Sequence, residues 1–241
     1  MTTAISNNNT PPITSDKNDY KNLIEELLKE ATSQGASSAE AGLSTGSGLS
    51  TTVRLGKVET VEHNQDKGLS ITVYFGNKKG SASTTDFGQQ AIKDTVTAAC
   101  RVAKYTAEDD CAGLADKSLL ATTFPDLDLF YDWDISIDQA ISLARECEEA
   151  ALSFDAKIKN TEGASLSTQQ GMRVYGNTND FIESYSTTRH NLSCSVIAQE
   201  NNAMQRDYWY SVARDSRDLE SGESIGKHAA QNALNRLNAR K

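Results

Sequence analysis

Two spacings of apolar residues occur along this chain, and they come in blocks. Leu69, Ile71, Val73 and Phe75 alternate with Ser70, Thr72 and Tyr74, the period of a strand with one buried face. Before it, Tyr20, Leu23, Ile24, Leu27, Leu28 and Ala31 make one helical stripe, stopped by Gly35. After it, Ile92, Val96, Ala99 and Ala103 make another. The same succession then returns. Ile137, Ala140, Ile141, Ala144, Cys147 and Ala151 predict a third helix. Leu192, Cys194, Val196 and Ala198, and later Tyr208, Tyr210 and Val212, predict strands, and Ile225, Ala229, Ala233, Leu234 and Leu237 a last helix. Strands grouped this way argue against a sheet wound alternately with helices. They predict an α+β fold of two tandem units, each an antiparallel β-meander flanked by helices.

The units are expected at residues 18–107 and 136–241. Residues 1–17, rich in Ser, Thr and Asn, form a disordered tail. Turn signals stand at Gly46-Ser47-Gly48, Leu55-Gly56-Lys57, Lys67-Gly68, Gly76-Asn77 and Gly176-Asn177. Asp86 with Gln89, and Ser136 with Gln139, have the spacing of helix-capping boxes. Residues 108–135 are an acidic connector. From Glu108 to Asp138 there are nine acidic side chains and one base, Lys117, so this stretch holds most of the net charge of −9.

That charge excludes the basic face of a nucleic-acid binder. No apolar run reaches the ~18 residues of a membrane helix, and the N-terminus has no leader pattern, so a cytoplasmic location is expected. Cys100, Cys111, Cys147 and Cys194 form no C-x-x-C pair and read as buried, reduced thiols.

Motifs for chemistry are weak. Gly42-Leu43-Ser44-Thr45-Gly46 matches a serine-hydrolase elbow, but a strand follows where that elbow needs a helix. Asp126, Asp128 and Asp132 have calcium-loop spacing, but Tyr131 stands where such a loop needs glycine. Alternation with Leu127, Leu129 and Phe130 instead suggests an extended segment packed on one side. His63, His190 and His228 stand apart, with no helix placing two imidazoles one turn from each other. The run Arg206-Asp207-Tyr208-Trp209-Tyr210 puts aromatics on both sides of a strand, which fits either one side for the core and one for a partner or core packing alone.

Several segments together resemble a known family. They include Gly80-Ser81-Ala82-Ser83-Thr84-Thr85-Asp86, Cys111-Ala112-Gly113-Leu114-Ala115-Asp116-Lys117, Pro125-Asp126-Leu127-Asp128-Leu129-Phe130, Asn160-Thr161-Glu162-Gly163, Ser186-Thr187-Thr188-Arg189-His190 and Arg206-Asp207-Tyr208. The chain resembles the N-terminal portion of the PmbA (TldE) branch of the TldD/PmbA family. The resemblance implies a subunit of a cytoplasmic zinc metalloprotease that acts on unfolded peptides, in peptide-antibiotic maturation and antitoxin turnover. It implies a TldD-like partner subunit that holds the zinc on an H-E-x-x-x-H helix, and a further C-terminal domain that this sequence does not include. The motif is missing here, so no catalytic or metal residue carries over and no cofactor is expected in this chain. Two other readings are a metallopeptidase in its own right and a peptide-binding module with no proteolytic role. The candidate peptide contacts are Thr188, Arg189, His190, Tyr208 and Tyr210, at an edge of the second meander that an extended peptide could join.

Overall fold

A computed structural model describes residues 17–237. The elements run α1 (Lys17–Ser33), β1 (Ser38–Arg54), β2 (Lys57–Phe75), β3 (Lys78–Thr84), α2 (Gln89–Tyr105), α3 (Ile137–Leu152), β4 (Ile158–Asn177), β5 (Phe181–Glu200), β6 (Ala203–Ala213) and α4 (Gly222–Arg236). This is the expected α+β succession. The strands form one sheet in the order β3-β2-β1-β4-β5-β6. β2 runs antiparallel to β3, with Leu69 opposite Thr84, and β5 antiparallel to β6, with His190 opposite Ala213. The tail expected to be disordered, Lys17 apart, lies outside the described residues.

The chain divides into two compact units, but not at the expected sequence boundaries. One unit takes the residues through Thr45, then Lys67–Pro125 and Met172–Ser186. The other takes Gly46–Asp66, Asp126–Gly171 and the chain from Thr187 onward. Strand length is the reason. β1, β2, β4 and β5 are 17 to 20 residues long, against a usual strand of about 5–6. Each therefore passes from one unit into the other.

The first core joins Ile24, Leu27, Leu28 and Ala31 of α1 to Leu69, Ile71 and Val73 of β2 and to Ile92, Val96, Ala99 and Ala103 of α2. Met172 and Val174 of β4 complete it. Gly35, at φ +91°, ends α1 as expected, and the Ala36 N–H closes the end on the Ala31 carbonyl at 3.1 Å. The second core joins Ala140, Ala144, Cys147 and Ala151 of α3 to Ile225, Ala229 and Ala233 of α4. Leu192, Cys194, Val196 and Ala198 of β5, with Leu49 and Val53 of β1, form its floor. The Ser136–Gln139 capping box is present at the start of α3. Asp86 makes no such box. Its carboxylate accepts the N–H of Gly88 at 2.8 Å, and Gly88 caps α2 instead. A short polar side chain has here taken the local backbone bond two residues on.

Two of the expected turns, at Gly46-Ser47-Gly48 and Lys67-Gly68, lie inside β1 and β2. At Gly48 the glycine serves close approach. A Cβ there would stand 2.6 Å from Asn64 Oδ1 and 2.8 Å from the Thr168 carbonyl. The turn at Leu55-Gly56 does form, with φ of +51° and +72°, the left-handed pair of a tight hairpin. Cys100, Cys147 and Cys194 are buried free thiols as expected, whereas Cys111 is exposed. A hydrogen bond with Cys194, then burial, pushes the Cys147 thiol up.

In the first unit Glu40 joins three strands. Its carboxylate accepts the hydroxyls of Tyr74, at 2.9 Å, and Tyr175, at 2.8 Å. Burial first, and then the hydrogen bond to Glu40, pushes Tyr74 up to about 12 from its ordinary 10. The folded chain thus keeps this phenol protonated where the unfolded chain releases the proton. Its stabilising contribution is complete below pH 10 and is lost as pH rises through about 12. Tyrosinate absorbance should show Tyr74 titrating late, alongside Tyr131 and Tyr175, which are also pushed up, and Glu40→Gln should bring Tyr74 and Tyr175 earlier. An unchanged curve in that variant would remove the carboxylate as a cause.

Candidate functional site

The five predicted contact residues divide between the two faces of the sheet in the second unit. Successive side chains on a strand point to opposite faces. Leu192, Cys194, Val196 and Ala198 of β5 face α3 and α4, so Thr188 and His190, of the same parity, share that face. Both are only 1% exposed. What buries them is the end of the acidic connector. The Thr188 N–H donates to the Leu129 carbonyl at 2.9 Å, and the Tyr131 N–H donates to Thr188 Oγ1 at 3.0 Å. Thr188 Oγ1 in turn donates to the Arg214 carbonyl at 2.8 Å.

His190 has both ring nitrogens engaged. Nε2 lies 3.2 Å from the Tyr131 carbonyl and Nδ1 lies 2.8 Å from Thr168 Oγ1. A carbonyl only accepts, so Nε2 carries the proton and Nδ1 accepts from the threonine. The indole of Trp133 meets the imidazole edge-on, with centroids 5.1 Å apart. Thr188 and His190 are therefore anchors for the connector, not contacts for an outside peptide. The extended, one-sided segment expected near Leu127–Phe130 is this strap.

Arg189 is exposed on the opposite face. That face also carries Asn191, Ser193 and Ser195 of β5 and, through the register Ser195–Tyr208 and Ser193–Tyr210, the two tyrosines of β6. Tyr208 and Tyr210 are 53% and 51% exposed and stack with centroids 6.2 Å apart at 19°. Beside them Arg206 pairs with Glu162, which also accepts the Ser195 hydroxyl at 2.9 Å. These two partners, Arg206 first, hold the Glu162 carboxyl below the usual range. The result is an open polar surface with a stacked aromatic pair. It can hold a chain against it, but shows no nucleophile paired with a base. Glu162 was not a predicted contact. Its only sequence signal is membership of the Asn160–Gly163 segment, since its ion pair joins strands far apart in sequence.

Trp209 points to the helix side, yet it is 38% exposed and lies outside the core. Its Nε1 donates to Glu220 at 3.2 Å, and its ring meets His228 at 5.3 Å. The expectation of one core side and one partner side for this run thus fails on the core side. The outer edge of β6 is also engaged at Tyr208. Its N–H donates to Asp207 Oδ1 at 2.8 Å, and its carbonyl accepts from Asn232 Nδ2 at 3.5 Å.

Histidine chemistry points away from a metal in this unit. His63 is exposed on β2, His190 is fully engaged, and His228 lies 3.4 Å from Glu220. Among the described residues no group of three or more His, Cys, Asp or Glu could hold a metal ion. The described residues do not fit a zinc site.

Comparison with known proteins places this architecture. Residues 39–103 match the model of the PmbA/TldA metallopeptidase domain 1, and residues 130–237 that of the PmbA/TldA metallopeptidase central domain. The metalloprotease PmbA of Escherichia coli is 46% identical over 224 residues, covering 92% of this chain and 50% of that protein. A metalloprotease PmbA homolog of Haemophilus influenzae is 42% identical over 234 residues, covering 97% of this chain and 52% of the relative. The chain thus spans about half the length of these relatives. Two crystal structures share the fold. A Bacteroides thetaiotaomicron protein, described as a candidate modulator of DNA gyrase, superposes with a TM-score of 0.87 at 24% identity, over 94% of this chain and 52% of its own. TldE of Thermococcus kodakarensis superposes with 0.70 at 13% identity, over 88% of this chain and 47% of its own. With both domain models matched in order and the PmbA relatives aligned along more than nine-tenths of the sequence, this chain belongs to the PmbA/TldA metallopeptidase family.

Proposed function

We propose that this chain is the N-terminal portion of a PmbA/TldE-like subunit of a cytoplasmic zinc metalloprotease. A TldD-like partner supplies the zinc, and this chain helps hold unfolded peptide substrates, in peptide-antibiotic maturation and antitoxin turnover. The observation that carries the reading is the 46% identity to the metalloprotease PmbA along nearly the whole chain. The open face of the second unit agrees with it, since it offers polar groups and stacked tyrosines without catalytic groups. No helix among the described residues is long and apolar enough to cross a membrane. In this role the chain builds and orients, and a metal held by the partner would supply the Lewis-acid chemistry of peptide hydrolysis.

The test is assembly. Purified alone, the chain should carry far less than one zinc per molecule by elemental analysis and should hydrolyse no unfolded peptide. Mixed with a TldD-like subunit, it should co-elute and support chelator-sensitive cleavage. Stoichiometric zinc, with activity in the isolated chain, would establish it as a metallopeptidase in its own right. Failure to associate with any TldD-like subunit would leave only the binding-module reading.

A further inference from the structure

We infer that the outer edge of β2 from Lys57 to Asp66 is a docking edge for an extended peptide bearing basic side chains at alternate positions. The inference rests on the peptide-holding role proposed above and names the place for it.

β2 has β1 on one side. On its other side β3 pairs only with Leu69–Phe75. Among the described residues, therefore, no strand lies beyond Lys57–Asp66. All ten residues are exposed, so both faces of the segment are open as well as its edge. An unpaired edge presents N–H and C=O groups at every second residue, ready for another strand. Natural edges are commonly protected by proline, a bulge, a covering element or charged side chains. Among the described residues only the last is present here, in Lys57, Glu59, Glu62 and Asp66, which repel a strand of like charge but not one of opposite charge. This segment contains no proline and no residue with positive φ. β6, where strand addition was expected from sequence, is the contrasting case, because Asp207 and Asn232 already bond the backbone of Tyr208.

Charge decides the occupant. Val58, Thr60, Glu62, Asn64 and Asp66 share one face of the strand by its period of two. Glu59, on the other face, pairs with Arg54 at 3.8 Å. Glu62 and Asp66 have no ion-pair partner among the described residues. Two unmatched carboxylates on one face of an open edge favour a strand whose facing side chains are lysine or arginine, because opposite charges across a strand pair attract. Backbone pairing supplies sequence tolerance, since every residue but proline has one donor and one acceptor.

The experiment uses the whole chain and three short fluorescent peptides. One alternates threonine and lysine, one alternates threonine and glutamate, and one repeats the first with alternate amides N-methylated. The threonine–lysine peptide should bind in fluorescence anisotropy and slow amide exchange in Lys57–Asp66, with no change in Ala203–Ala213. N-methylation should weaken binding by about tenfold or more, as removal of backbone donors requires. The exposed double variant E62K/D66K should reverse the preference between the lysine and glutamate peptides by about fivefold or more, with unchanged circular dichroism. Protection elsewhere, equal binding of the N-methylated peptide, an unreversed preference, or no binding would each overturn the docking edge. Those outcomes leave the subunit role standing if the complex with the partner still cleaves peptide. Loss of that cleavage, with the footprint on Lys57–Asp66 intact, would instead remove the protease role.

Discussion

Gly226→Ala should destabilise the chain by about 3 kcal/mol, the upper end for overpacking, because a clash between backbones cannot relax through a rotamer change. Glycine-to-alanine substitution inside a helix normally stabilises by about 1 kcal/mol. Here the sign reverses. A Cβ on Gly226 would stand 2.2 Å from the carbonyl oxygen of Cys147 and 2.9 Å from the amide nitrogen of Ala151, both backbone atoms of α3. The two helices would have to separate, exposing Ala144, Ala229 and Ala233, each 0% exposed. Gly80→Ala should act likewise in the first core, where the new atom would meet the Ala99 carbonyl at 2.3 Å and the Ala103 nitrogen at 2.4 Å. Gly222→Ala is the internal comparison, since its nearest approach is 3.2 Å and its cost should be far smaller. Urea titrations followed at 222 nm measure all three. A Gly226→Ala chain as stable as its parent would refute the close contact of α3 with α4.

The second large effect is expected at Glu148. This carboxylate is 1% exposed and has both oxygens committed to the β1–β2 hairpin, to the N–H of Leu55 at 2.8 Å and of Gly56 at 2.8 Å. Arg145, one helical turn before it, donates to the Gly56 carbonyl at 3.2 Å. The turn needs this help, because Leu55 holds φ +51°, which a bulky side chain disfavours. Hydrogen bonds to a charged group are each worth about 1.5–3 kcal/mol. Glu148→Ala should therefore cost roughly 3 kcal/mol or more, while Glu148→Gln, with one remaining acceptor, should fall between it and the parent. Leu55→Gly in the Glu148→Ala background should return part of the loss by relieving the turn, by about 1 kcal/mol. Equal stability of parent and Glu148→Ala would show that the hairpin needs no clamp.

What was legible in the sequence follows the range of the forces involved. α1 and the strand Leu69–Phe75 could be read because their apolar spacing states which face is buried, whatever buries it. The Ser136–Gln139 box could be read because both partners lie within one turn. Burial of His190 could not be. It depends on Tyr131 and Trp133, 59 and 57 positions away, folding back over β5. Glu148 was invisible for a similar reason. On a helical wheel it is one more charge, and only the arrival of the Leu55-Gly56 turn 92 residues earlier in the chain makes it a buried ligand of backbone amides. The small residues misled. Gly48 has the signature of a turn and is instead the place where Asn64 and Thr168 come close. At the candidate site, Arg189 could not be told from His190 by spacing, because the helices packed on the other side decide which parity faces outward.

The passage of β1, β2, β4 and β5 through both units bears on the order of events during synthesis. The first core contains Met172 and Val174, with Ile182 packed against it, so it cannot close when Ala103 has been made. At about 5–20 residues per second, the ribosome needs roughly 4–16 s more to reach Ile182. Throughout that interval the apolar faces of α1, β2 and α2 lack their last strand, and a nascent chain halted near Pro125 would offer a holdase chaperone a site that the finished protein conceals.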